Sequence, residues 1–443
     1  MALRNYRGTA MRTTASIMAW CCIAVAVAQR PSPAPAQAGS ILIKGGTVHV
    51  GDGKTYDDGA VGFRNGTIDF VGYEYAVKAA YDSVIDAKGM QVYPGFILPD
   101  ATLGLVEIDA VHASADVAET GSIEPEVRAI TAYNADSKII PTVRSNGVLL
   151  AQATPRGNLI SGTSSIVQLD AWNNNDAAVR ADDGIHLNWP AAFVQTGWWA
   201  EPGSTEKQAG DKRTNALAGL RTFFLRAKAY AAQPVPRRTD LRLEAMRGLF
   251  QGKQTLYIHA DGAREIQEAV LFAREMGVPR LVLVGGYDAW RVAPLLRDKK
   301  VDVVLQRLHS LPGREDDDVD LPYRLPALLK QGGVRFCLSY SGDMERMGAR
   351  NLAFTAGTAS AYGLSREDAL RAITLDAAAI LGIEQRYGSL EPGKSATLFI
   401  SAGDALDMRG NKVVEAFIDG RRISLDNGQR QLWRQYEERY AKP

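Results

Sequence analysis

Cysteine and histidine are both scarce in this chain. Its 443 residues include three cysteines, Cys21, Cys22 and Cys337, and five histidines. Cys21 and Cys22 fall in an apolar N-terminal run. Once that run is removed Cys337 stands alone, which excludes an internal disulfide. Charge of one sign is also lacking: 51 Lys+Arg against 50 Asp+Glu leave a net +1. Near-neutrality gives no electrostatic case for nucleic acid or an anionic membrane surface. Beyond the N-terminus no run is long and apolar enough for a transmembrane helix. There is no Walker loop, no G-x-G-x-x-G after a strand, no H-E-x-x-H and no G-x-S-x-G elbow. What remains is an ordinary globular composition, 46% hydrophobic and 23% charged. The length suits one large domain plus a small one. The partner expected is a small-molecule substrate or ligand, or another protein.

The N-terminus reads as an export signal. Arg4, Arg7 and Arg12 precede the apolar run Ser16–Ala28, "SIMAWCCIAVAVA", and small residues follow. The run is short for a bilayer span, and cleavage after Ala28 or Ala38 fits. An uncleaved anchor is the alternative. The expected organisation is a signal over 1–28 and a flexible Pro/Ala-rich spacer over 29–40. The product would be periplasmic or secreted, with no membrane attachment after cleavage.

Both ends of the rest are β-rich. "GAVGFRNGTIDFVG" carries Asn65-Gly66 between alternating runs, the strongest short hairpin signal. "VVEAFIDGRRI" turns at Asp419-Gly420 in the same way. Segments 41–94 and 385–443 are therefore expected to form one small composite β-sandwich. Between them, 95–384 alternates apolar strands such as "TLYIHA", "RLVLVGG" and "VDVVLQ" with helical periods such as "AREIQEAVLFAREMG". Continuously apolar strands separated by helices imply a parallel sheet buried on both faces. The length allows eight units, hence an α/β fold of TIM-type (β/α)8 barrel. An insertion near 188–214 carries Trp189, Trp198 and Trp199, which either line a pocket or pack the insertion down.

Three stretches carry a family resemblance. "ILIKGGTVHVGDG", "DAKGMQVYPGFI" and "GLSREDALRAITLDAAAILGIEQRYGSLEPGKSATLFI" resemble the amidohydrolase superfamily, in particular its imidazolonepropionase-like and dihydroorotase-like members. The resemblance implies the same barrel and composite domain. It also implies hydrolysis of non-peptide C–N bonds, amide or cyclic amide, by metal-activated water. Such a centre is expected to hold one divalent metal, zinc first, or none in a chain that has lost its ligands. Homo-oligomers, or pairing with an active relative, are implied in the same way.

Matched residue by residue, the ligand set is thinned. The His-x-His after the first barrel strand falls on Asp100 and Thr102, and threonine is a poor ligand. His259 in "YIHADG" matches the strand-5 histidine. The strand-6 histidine falls on Gly285, which has no donor. Asp343 in "FCLSYSGD" stands for the proton-shuttling aspartate of strand 8. His309, after "VVLQRL", is a further candidate ligand. The expected site is thus Asp343 as catalytic carboxylate, with His259, Asp100 and His309 toward a metal. His49, His112 and His186 carry no argument from sequence. Cys337, inside an apolar strand, is expected in the core, and the acidic loop Glu315–Asp318 in solvent. Two functions follow: a hydrolase with an incomplete centre, or a catalytically inactive barrel, a pseudoenzyme, that binds a ligand or a partner subunit.

Overall fold

The computed structural model describes residues 32–108, 110–192, 206–236, 238–342 and 345–441. The signal 1–28, Trp198, Trp199 and Asp343 lie outside the described residues. No described helix is long and apolar enough to cross a membrane.

The chain begins and ends in one sheet. Ile41–His49 (β1), Thr55–Arg64 (β2), Thr67–Tyr73 (β3), Ser83–Asp86 (β4) and Gln91–Pro94 (β5) come from the N-terminal side. Leu398–Ser401 (β14), Val413–Ile418 (β15) and Arg421–Arg422 (β16) come from the C-terminal side. The order is β16-β15-β14-β5-β1-β2-β3, with β4 on β1. β5 and β14 join the two halves antiparallel, Pro94 opposite Leu398. The β2–β3 turn has φ +50° at Asn65 and +78° at Gly66, two left-handed residues as a type I′ hairpin requires. Asp419 (+48°) and Gly420 (+73°) repeat that geometry between β15 and β16. Ile43, Val61, Phe63, Val92, Leu398 and Phe417 form a core belonging to this sheet alone.

The second sheet is a nearly closed barrel of eight strands. It comprises Phe96–Ala101 (β6), Val148–Ala153 (β7), Ile160–Gln168 (β8), Ala178–Asn188 (β9), Thr255–Ala260 (β10), Leu281–Gly285 (β11), Asp302–Leu305 (β12) and Phe336–Leu338 (β13). Seven run the same way, but β8 is antiparallel to both β7 and β9. The α/β barrel expected from sequence forms, with one of its eight strands reversed in place of a uniform series of strand–helix units. The reason is connection length. Only 154–159 separates β7 from β8, and 169–177 separates β8 from β9. A parallel crossover takes about a dozen residues or more, so these links can only turn back.

Ile97, Leu150, Ile166, Tyr257, Val282, Val304 and Cys337 fill the barrel, and the helix Leu375–Leu381 closes its lower end with Ala377, Ala378, Ile380 and Leu381. Cys337 is fully buried there, and burial pushes its thiol well up. The opposite end, where seven strands finish, is the mouth. At the seam between β13 and β6 the Ser339 hydroxyl donates to the Pro99 carbonyl at 2.7 Å.

Two segments gain detail in the structure. Residues 206–214, the end of the segment read as an insertion, begin the helix Glu206–Ala231, which buries Leu220, Phe224 and Ala227. Trp189 packs against Phe272 with ring centres 5.3 Å apart, the packing alternative. The supposed spacer is anchored over 32–40. Ala34 N donates to Asp170 at 2.8 Å, and Arg421 donates to the Ala34 carbonyl at 3.1 Å. Gln37 accepts from Gly66 N at 2.7 Å and donates to the Phe63 carbonyl at 3.2 Å. This segment straps the sheet domain to the barrel.

Candidate active site

The mouth is built on a buried polar layer. Gln152 on β7, Ser164 on β8, Asp183 on β9 and Tyr257 on β10 all point inward and are shielded from solvent. Asp183 accepts from the Ser164 hydroxyl (2.8 Å), the Tyr257 hydroxyl (2.8 Å) and Gln152 Nε2 (2.9 Å). Burial pushes the Asp183 carboxyl up, and these hydrogen bonds pull against that shift. The layer reaches the mouth at two points. Gln152 Oε1 accepts from Asp100 N at 3.1 Å, holding that residue at φ +50° where β6 ends. The Tyr257 ring stacks under His186, 4.7 Å between centres and 12° from parallel.

Three donors converge above it. Asp100 from β6, His186 from β9 and His259 from β10 each bring a ligand atom within 4.8 Å of the other two. The imidazoles share a hydrogen bond, His186 Nδ1 to His259 Nε2, at 2.9 Å. His186 is fully buried, and its Nε2 has no partner among the described residues. Burial holds both imidazoles below their ordinary value, His186 more strongly. Both are therefore neutral near pH 7, the state a metal ligand needs.

A guanidinium completes the mouth. Arg156, in the β7–β8 turn, donates Nη1 to Asp100 Oδ1 at 2.9 Å and Nη2 to the Asp100 carbonyl at 3.0 Å. Nη2 also reaches Glu345 Oε2 at 3.1 Å. Glu345 accepts from Thr102 N at 3.0 Å, from the Thr102 hydroxyl and from Gly342 N at 3.2 Å. Thr102 thus orients a carboxylate rather than presenting itself as a ligand.

The amidohydrolase-family sequence profile matches residues 323–423. An amidohydrolase from Thermotoga maritima is 26% identical, with a TM-score of 0.75 over 87% of this chain and 99% of its own. A prolidase complexed with N-methylphosphonate-L-proline is 17% identical (TM-score 0.52; 87% and 99% covered). A zinc-bound adenosine deaminase from Xanthomonas campestris is 18% identical (0.50; 91% and 99%). No curated protein matches the sequence.

The fold is that of amidohydrolases.

Within this barrel the residues named from sequence separate. Asp100 and His259 meet. His309 does not join them: its Nε2 bonds the Thr358 hydroxyl at 2.8 Å, on the helix Leu352–Ala361. The acidic loop is not wholly solvated either, because Asp317 accepts from the Tyr287 hydroxyl at 2.8 Å and its side chain is nearly buried. His186 was missed. Its signal was present, since "GIHLN" ends an apolar strand just as "YIHAD" does.

Gly285 has a positive reason to be glycine. Its φ is +98°, and a Cβ there would meet Asp261 Oδ1 at 2.6 Å. The Asp261 carboxylate thus fills the space a strand-6 side chain would need. Gly285→Ala is expected to destabilise the fold by about 1–3 kcal/mol through left-handed backbone strain and that clash. Gly285→His should rebuild no ligand. Urea melts check the first expectation, and cation affinity of the histidine variant the second.

The imidazoles also set a pH dependence. In the unfolded chain both histidines bind protons near pH 6.5, whereas in the folded chain they bind only at lower pH. Below about pH 6.5 the unfolded state therefore holds more protons, and stability falls as pH falls until the folded values are passed. Cation-free protein is expected to have a lower urea midpoint at pH 5.5 than at pH 7.5. His186→Phe, which cannot be protonated, should lessen that difference.

Proposed function

We propose that this protein hydrolyses an amide or cyclic amide bond of a small molecule, with Asp100, His186 and His259 holding one divalent cation, zinc first. The observation carrying this reading is the convergence of three donors from three separate strands within 4.8 Å at the barrel mouth. The donor set suits the ion: two neutral imidazoles, one carboxylate, and a buried His186 nitrogen without a partner among the described residues. A bound zinc supplies a Lewis acid and lowers the pKa of water to about 7.

The chain's own groups prepare that chemistry. Tyr257 fixes the plane of His186 by stacking, and Gln152 and Arg156 fix Asp100 from below and from the side. Burial keeps both imidazoles available as neutral donors. The second reading, a non-catalytic binding barrel, is favoured by one observation: the Asp100 carboxylate is already paired with Arg156. Metal analysis of purified protein, before and after chelation and reloading, separates the two. A panel of acyl-amino acids, cyclic imides and dipeptides then reads turnover. One bound equivalent with metal-dependent hydrolysis supports the enzyme. No bound ion under any loading leaves the binding barrel.

Export is part of the same proposal, and the strap bears on where the signal is cut. Cleavage after Ala38 would remove Ala34 and Gln37 with all their contacts, whereas cleavage after Ala28 keeps them. N-terminal sequencing of exported protein is expected to read Gln29 first. A chain starting at Gly39 would contradict this.

A further inference from the structure

Arg156 is the unusual element of the mouth. Its side chain is 30% exposed, while Asp100 is 2% and Glu345 12% exposed, so two nearly buried carboxylates meet on one guanidinium. They come from either side of the barrel seam: Asp100 near the end of β6, and Glu345 in the helix Glu345–Gly348 that follows β13. Burial pulls the Arg156 guanidinium down, but Asp100 and Glu345 more than offset it. It stays charged at every working pH and cannot be removed by a chelator.

Without Arg156, the Asp100 and Glu345 carboxylates would face each other unpaired, with Asp100 also within reach of the two imidazoles. Such a set of oxygens and nitrogens attracts a further divalent ion. We propose that Arg156 is a positioning residue that serves as a built-in cation: it stands between Asp100 and Glu345 where a second metal ion would otherwise bind, and so restricts the centre to one. The inference rests on the single-cation reading of Asp100, His186 and His259, and extends it to why the number is one. The geometry agrees with a holding role. The fork grips both the carboxylate and the carbonyl of Asp100, at 2.9 and 3.0 Å, while Asp100 still keeps a ligand atom within 4.8 Å of both imidazoles. Lysine carries the charge but not the fork, so it would neutralise the carboxylates without aiming Asp100.

The test is cobalt stoichiometry, read from visible absorbance and elemental analysis, on full-length protein freed of metal. Wild type should take up one Co²⁺. Arg156→Met and Arg156→Gln should take up two. The double variant Arg156→Met/Glu345→Gln, with one carboxylate gone, should return to one. Arg156→Lys should stay at one but bind it about tenfold more weakly, the lower end of the loss for an outer-shell partner. If the uncharged variants are unstable alone, Co²⁺ should raise their Tm more than it raises that of wild type. Two ions in wild type, or one ion at wild-type affinity and an equal Tm shift in the uncharged variants, overturns the inference but leaves the cation site standing. No cobalt in any of these proteins overturns both.

Discussion

Replacing His259 with alanine is expected to empty the cation site and reduce kcat/KM by more than about a hundredfold, since even outer-shell losses at metal centres cost 10–100-fold. Among the described residues three donors converge at the mouth, and one of them, Asp100, already shares its carboxylate with Arg156. Loss of His259 leaves His186 and a charge-paired aspartate, too few to retain an ion against buffer. The fold should survive, because His259 is only partly buried and its ring bonds a neighbouring imidazole rather than the core. His309→Ala is the matched control. His309 bonds Thr358 away from the three donors, so that variant should keep its metal. Elemental analysis with circular dichroism reads both. A His259→Ala protein that holds metal as wild type does would remove this centre from the mechanism.

The largest expected effect on stability lies elsewhere, at Asp170. Its Oδ1 accepts from Arg144, and its Oδ2 accepts from Arg421 at 3.0 Å and from Ala34 N at 2.8 Å. The Arg144 side chain is only 8% exposed, and burial pulls its guanidinium down against the opposing pull of Asp170. Asp170→Ala would strand that charge. Removing one partner of a buried pair costs about 3–5 kcal/mol. At about 2–4 °C per kcal/mol for a domain of this scale, Tm should fall on the order of 10 °C. The same change cuts the strap at Ala34 and the tie to Arg421, so the sheet domain should loosen from the barrel. Thermal melts and limited proteolysis near residue 34 would show both. A loss below about 1 kcal/mol would mean that water reaches Arg144 when Asp170 is gone.

Much of the architecture was legible because its causes are local. Asn65-Gly66 and Asp419-Gly420 make type I′ hairpins through the φ preferences of those residues, whatever packs around them. Apolar strand runs and helical periods located the barrel. The reversal of β8 was not anticipated from sequence, because strand composition conceals direction and the short links on either side of it emerge only with the strand bounds. The strap over 32–40 was not legible, because Pro and Ala signal a spacer while its anchoring depends on Asp170 and Arg421 far along the chain.

The site divides along the same line. Sequence by itself determined that this barrel has few histidines, that His259 ends an apolar strand, and that glycine stands at 285. Only the tertiary structure decided that His186 stands beside His259, that Asp261 fills the space over Gly285, and that Arg156 lies between Asp100 and Glu345. A strand's alternation says which side chains face inward, but not which strand curls round to meet them. That is settled by closure of the sheet, which brings the ends of β6, β9 and β10 to one mouth.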